Sequence, residues 1–162
     1  GGMYDEVALR IEIAKVIAEI KPDVVIGPDH KLYPESHPDH LRVGEAVSKA
    51  YFMCSNVNMM KSVGATQIAK PTVLAYYFTG KPNRFVKITK KDFEKTKAAY
   101  ACFVSQCPPP DNGKSLMLYM RLKVRLNGLR SFHIRADAFR VMNNMHIHCC
   151  GEAEDTAIRR PL

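Results

Sequence analysis

The sequence predicts an α/β fold, with a mixed or mostly parallel sheet and helices packed on it. Three observations carry this prediction. Short runs rich in β-formers, such as Asp23-Val24-Val25-Ile26-Gly27 and Thr72-Val73-Leu74-Ala75-Tyr76-Tyr77-Phe78, alternate with longer segments whose apolar residues recur every three or four positions. Proline and glycine mark the changes of period, as at Lys21-Pro22 and Gly80-Lys81-Pro82-Asn83. The resulting order is helix, strand, helix, strand, strand, helix, helix, strand, which is a layered α/β pattern and not that of a bundle or a sandwich.

Each element has its own signals. Over residues 4–20, Val7, Ile11, Ala14, Ile17 and Ala18 mark one helical face, and Leu9, Ile13, Val16 and Ile20 widen it into the stripe of a helix packed on a sheet. Lys21-Pro22 ends that helix, since the residue before proline disfavours helical geometry. Residues 23–27 read as a short buried strand, and residues 28–36 as a loop holding His30, Tyr33 and Glu35. Pro38 suits the first position of the next helix, where its missing N–H has no partner to lose. His37 then falls at the N-cap and Asp39 in the first turn, where the helix dipole favours an anion. Val43, Ala46, Val47, Ala50 and Tyr51 carry this helix to about residue 52. Asn56, Asn58 and Gly64 make 55–65 a short helix or irregular surface. Residues 72–78 form a buried strand, and the alternation in Arg84-Phe85-Val86-Lys87-Ile88 predicts another.

Thr89 then resembles an N-cap, with Asp92 in the reciprocal position of a capping box. That helix runs to about residue 106, and Cys107-Pro108-Pro109-Pro110-Asp111-Asn112-Gly113 breaks the chain. A further helix from residue 115 stops at Asn127-Gly128. Residues 134–141 are the last strand, and the tail after Gly151 frays. The expectation is one α/β domain over 1–162, Rossmann-like and incomplete. It begins abruptly on a helix, whereas a parallel sheet needs helices on both faces and several consecutive βα units.

Composition excludes several classes. The chain has 162 residues, 46% hydrophobic and 25% charged, ordinary values for a globular domain. No apolar run approaches the ~18 residues that a membrane span needs, and the first residues, Gly1-Gly2-Met3-Tyr4-Asp5-Glu6, are not a signal peptide. The five cysteines form no CxxC pair, which argues against a structural zinc knuckle and for a reduced, cytoplasmic setting; adjacent Cys149-Cys150 read as packing or free thiols. The net charge of +8 invites a nucleic-acid reading. Lysines and arginines are nevertheless interleaved with acids, and no nucleic-acid-binding motif occurs, so no nucleic-acid partner is expected. The sequence admits a homo-oligomer.

The chemistry-bearing stretch is Tyr33-Pro34-Glu35-Ser36-His37-Pro38-Asp39-His40. It places two imidazoles and a carboxylate between a strand's carboxyl end and a helix's amino end, the side on which open α/β sheets bind ligands. His37 and Asp39 could equally act as helix caps, and loop polarity alone could explain His30, Tyr33 and Glu35. His133, His146 and His148 fit a polar strand edge better than a second metal site, with His146 and His148 on one face of a strand.

Several blocks resemble the PIG-L/LmbE-like deacetylase family: Ile20-Lys21-Pro22-Asp23-Val24-Val25; His37-Pro38-Asp39-His40; Gly44, Ala46, Val47 and Ala50; Pro82-Asn83 with Phe85-Val86-Lys87-Ile88-Thr89; Lys97 and Ser105-Gln106; and Arg135-Ala136-Asp137-Ala138-Phe139-Arg140. The likeness covers residues 4–148. It implies a zinc-dependent enzyme that removes acetyl groups from N-acetylglucosamine-type sugars, with an N-acetylated amino sugar as substrate. It also implies His40 as a zinc ligand, His37 as the acid toward the leaving amine or the oxyanion's partner, and Asp39 as the group tuning the histidines. His30, Tyr33 and Glu35 become candidates for contact with substrate. The family's His-Pro-Asp-Asp-type motif, which brings the other ligands and the general base, does not occur here. Gly27-Pro28-Asp29-His30 is the nearest string and follows the wrong strand. Two expectations follow: a chain lacking its first strands, which the abrupt start favours, or a non-catalytic sugar- or partner-binding remnant without a metal centre.

Overall fold

The computed structural model describes residues 4–148; Gly1-Gly2, Cys149-Cys150 and the tail lie outside the described residues. Helix α1 (Glu6–Ile20) starts where the Asp5 side chain accepts from the amides of Val7 and Ala8. It ends at Lys21 in the left-handed region, just ahead of Pro22. Strand β1 (Val24–Pro28) follows, then a loop into α2 (Pro38–Met53), with His37 at the N-cap and Pro38 at the first helical position as expected. The ambiguous stretch is a short helix, α3 (Val57–Ser62), capped by Asn56. Strands β2 (Val73–Tyr77) and β3 (Arg84–Lys87) precede α4 (Lys90–Ala101), whose Thr89–Asp92 capping box is formed from both sides. A single 3-10 turn (Val104–Gln106) replaces the predicted last turn of that helix. Then come α5 (Lys114–Arg130), β4 (Ala136–Met142) and α6 (Asn144–His148).

The four strands form one mixed sheet in the order β1-β2-β4-β3. Strands β1 and β2 are parallel, Val24 opposite Val73 through Pro28 opposite Tyr77. Strand β4 runs antiparallel to β2, with Tyr76 opposite Arg140. The chain divides into two compact units. One comprises the residues up to Arg84 and those from Phe139 onward; the other is Phe85–Ala138. In the first, Ala14, Ile17 and Ala18 of α1, Val47, Ala50 and Tyr51 of α2, and Leu74 and Tyr76 of β2 build the core. The second unit buries Phe93, Val124, Ala136 and Ala138.

Two predicted features are corrected. Helix α5 does not stop at Asn127-Gly128 but runs through it to Arg130. Gly128 serves close approach instead: a Cβ there would stand 2.6 Å from the His133 carbonyl oxygen and 2.8 Å from the Arg135 nitrogen. His146 and His148 lie on a helical turn, not a strand, because the Asn143 side chain caps the amides of Met145 and His146.

Candidate active site

The loop between β1 and α2 folds its polar groups onto the start of the helix. Glu35 is the hub. Its Oε1 accepts from the His37 backbone amide at 2.8 Å, and its Oε2 lies 2.9 Å from His40 Nδ1. These two hydrogen bonds, that of His40 first, hold the Glu35 carboxyl below its ordinary pKa. The His37 and His40 rings stack, centroids 4.5 Å apart and 21° from parallel. The His37 side chain makes no capping bond, so its ring serves the stack and not the helix end. Asp39, in the first turn, accepts from the Tyr4 hydroxyl at 3.4 Å. The fold thus gathers Glu35, His37 and His40 into one cluster, with Asp39 beside it. Tyr33 stands apart, 92% exposed.

His30 does not join this cluster and lies next to a buried ion pair. Asp29 directly follows β1 and is paired with Arg140 of β4. Arg140 Nε donates at 2.9 Å and a second guanidinium nitrogen closes a bidentate contact; the two residues are 4% and 1% exposed. The guanidinium also lies over the Tyr76 ring, 4.6 Å from its centroid, and donates to Met142 Sδ at 3.3 Å. Burial alone would raise the Asp29 pKa, but hydrogen bonds from Arg140, Thr79 and the Lys31 amide outweigh it and lower the value. His30 meets the Tyr76 ring edge-on at 5.5 Å, and its Nδ1 is buried with no hydrogen-bond partner among the described residues. Burial, and then the Arg140 charge, push its pKa down, so the neutral ring is favoured. Sequence reasoning passed over Asp29 and Arg140. A signal existed: Ala136, Ala138, Arg140 and Met142 share the inward face of β4 by period two, and an arginine on an inward face demands an internal acid.

A family zinc can be tested against these groups. A metal-bound imidazole normally gives its other ring nitrogen to a carboxylate or carbonyl. The Glu35–His40 pair has that form, leaving Nε2 as the ligating atom. The donor chemistry therefore suits one ligand. Among the described residues, however, no three of His, Cys, Asp and Glu stand together as a metal cage, and a catalytic zinc needs three protein ligands. Neither the His133, His146, His148 set nor the nearest string to the missing motif supplies them: His148 stacks on Phe52, and Asp29 is committed to Arg140.

Comparison with known proteins follows the same lines. No family model matches the chain. It is 32% identical over 146 residues to the diacetylchitobiose deacetylase of Thermococcus kodakarensis, an alignment covering 88% of this chain and 53% of that protein. A structure of the N,N'-diacetylchitobiose deacetylase from Pyrococcus horikoshii, complexed with its inhibitor MPG, superposes with a TM-score of 0.77 at 27% identity, over 90% of this chain and 55% of that one. A conserved protein from Thermus thermophilus matches in fold, with a TM-score of 0.64 at 22% identity over 85% of this chain and 60% of that one. The chain spans about half the length of the deacetylases it matches. By sequence and by fold, over the portion that it spans, it belongs to the PIG-L/LmbE-like deacetylases.

Proposed function

We propose that this chain contributes the His-Pro-Asp-His part of the active site of a zinc-dependent hydrolase that removes the acetyl group from an N-acetylglucosamine-type sugar. The observation that carries the reading is the Glu35–His40–His37 cluster at the amino end of α2, in a chain related to diacetylchitobiose deacetylases. His40 would hold the metal through Nε2, with Glu35 fixing its tautomer and ring plane. Zinc, when bound, polarises an amide carbonyl and lowers the pKa of a bound water toward ~7. The chain's own part is positioning and proton handling. The Glu35 carboxylate is anchored by the His37 amide, which holds it beside His40. His37 stacks on the ring of His40, and an imidazole so placed would be the group to deliver a proton to a departing amine. Asp39 adds a negative charge in the first turn of the same helix, where the helix dipole favours it.

The absence of a three-donor group among the described residues favours a second reading, a sugar- or partner-binding protein with this fold and no metal centre. One experiment separates the two. The protein, expressed from its native reading frame, is assayed for acetate release from N,N'-diacetylchitobiose, and its zinc is measured. The enzyme reading expects bound zinc and turnover. It further expects His40→Ala to lose both, and His37→Ala to keep zinc while losing about 10²–10⁴-fold in kcat. Stoichiometric zinc in His40→Ala would remove His40 from the ligand set. Protein without zinc or acetate release would leave the binding reading.

A further inference from the structure

The unit Phe85–Ala138 holds eleven lysines and arginines against four acidic residues, so seven of the chain's eight net positive charges fall within it. Taken along the whole chain the charges look interleaved; taken by unit they are concentrated. Helix α5 is the extreme case, with Lys114, Arg121, Lys123, Arg125 and Arg130 and no acid. Its inward face packs through Val124 and Gly128. Its outward face is apolar as well: Leu118, Leu122, Leu126 and Leu129 are 57%, 52%, 60% and 76% exposed. At ~100° per residue these four leucines fall within about 80° of one another, with Lys114, Arg121 and Arg125 along one border and Lys123 and Arg130 along the other. Beyond the helix, Phe132 and Ile134 are exposed as well, at 99% and 83%. Near the amino end of α5, a cavity of about 410 Å³ is lined by Tyr100, Met117 and Leu118 together with Lys97, Lys114 and Arg121.

We propose that this face of α5 is a docking surface for an anionic lipid bilayer. A contiguous stripe of exposed leucine bordered on both sides by cations is the form of a helix that lies in a membrane interface, leucines toward the acyl chains and basic groups at the headgroups. The long stems of arginine and lysine let their charges reach outward from such a position. Attachment is peripheral, because among the described residues no helix is long and apolar enough to cross a membrane. Charge selects this occupant over a second copy: a two-fold contact through this face would set two such basic units against each other. The aliphatic character of the stripe selects it over nucleic acid, which would call for aromatic stacking groups between the cations.

The test is co-sedimentation of the whole chain with phosphatidylcholine vesicles, alone and with about 30 mol% phosphatidylserine, an anionic lipid that attracts basic segments. Binding is expected only with the anionic lipid, weakening as salt rises. Leu122→Asp is expected to abolish it. Arg121→Gln with Arg125→Gln, which leaves the leucines and the inward face intact, is expected to weaken it on the order of fivefold per cation. Equal retention on both vesicles, retention on neither, or retention unaltered by these substitutions would overturn the proposal. So would tighter capture by a DNA duplex than by anionic vesicles, or a concentration-dependent increase in mass, by light scattering, that Leu122→Asp removes.

Discussion

At the residue scale the Asp29–Arg140 pair has the largest consequences for stability. Both charges are out of water, so their value lies in being together: removing one partner leaves the other buried and uncompensated. Two groups with depressed pKa values, buried Asp29 and half-buried His30, carry the largest part of the pH dependence, since the exposed carboxylates are screened by water. Folding lowers the Asp29 pKa, so its contribution is complete above the unfolded value near ~4 and is lost as pH falls through the folded value. Folding also lowers the pKa of His30, whose contribution is complete above the unfolded value near ~6.5 and is lost as pH falls toward the folded one. Denaturant midpoints are therefore expected to be level above pH ~7 and to decline in two stages, the first below ~6.5 and the second below ~4. Arg140→Met keeps the bulk and deletes the cation. It is expected to cost about 3–5 kcal/mol at neutral pH and to reverse the second stage, since a buried unpaired carboxyl gains from protonation. An unchanged acid limb in Arg140→Met would show that the guanidinium does not hold the carboxylate in its ionised form.

At the element scale, the seating of α2 on the loop after β1 decides where the candidate site lies. Gly44 faces that loop. A Cβ there would collide with the Pro28 carbonyl oxygen and stand 3.0 Å from both His30 Cβ and His30 N, groups that cannot rotate aside. Gly44→Ala is expected to destabilise by about 1–3 kcal/mol and, under the proposed function, to lower kcat/KM for acetate release by shifting Glu35 relative to His40. Gly80→Ala is the matched control, because its nearest neighbour would be Leu32 Cδ1 at an ordinary 3.7 Å; its effect on stability is expected within ~0.5 kcal/mol. Equal effects from the two would mean that α2 is not tightly seated. The start of α2 was legible because proline and the apolar spacing are local signals, and so was the grouping of His37, His40 and Glu35 on one short stretch. The carboxyl end of α5 was misread because Asn-Gly is a stop signal only when its glycine turns left-handed. Here the glycine stays helical and makes room for His133–Arg135. The Asp29–Arg140 pair joins residues 111 positions apart, and no local pattern encodes such a contact.

At the scale of the whole molecule, the two units are built with very different amounts of apolar burial. The first holds a continuous cluster spanning α1, α2, α3, β1 and β2, with Ala14, Ala50, Tyr51 and Leu74 fully enclosed. Among the described residues, the second buries Phe93, Val124 and two alanines of β4, while α5 leaves four leucines in water. Protection from hydrogen exchange follows the free energy of opening, which rises with buried contact. Amides of α4 and α5 are therefore expected to exchange at least ~100-fold faster than those of α2 and β2. The histidine cluster would remain in place while the basic unit opens, since α2 belongs to the better-packed unit. Adding anionic vesicles should slow exchange in α5 and leave β2 unchanged, because a ligand that binds only the folded helix stabilises that helix alone. If α5 and β2 are equally protected without vesicles, the two units open as one cooperative structure, and the exposed leucine stripe is no guide to local stability.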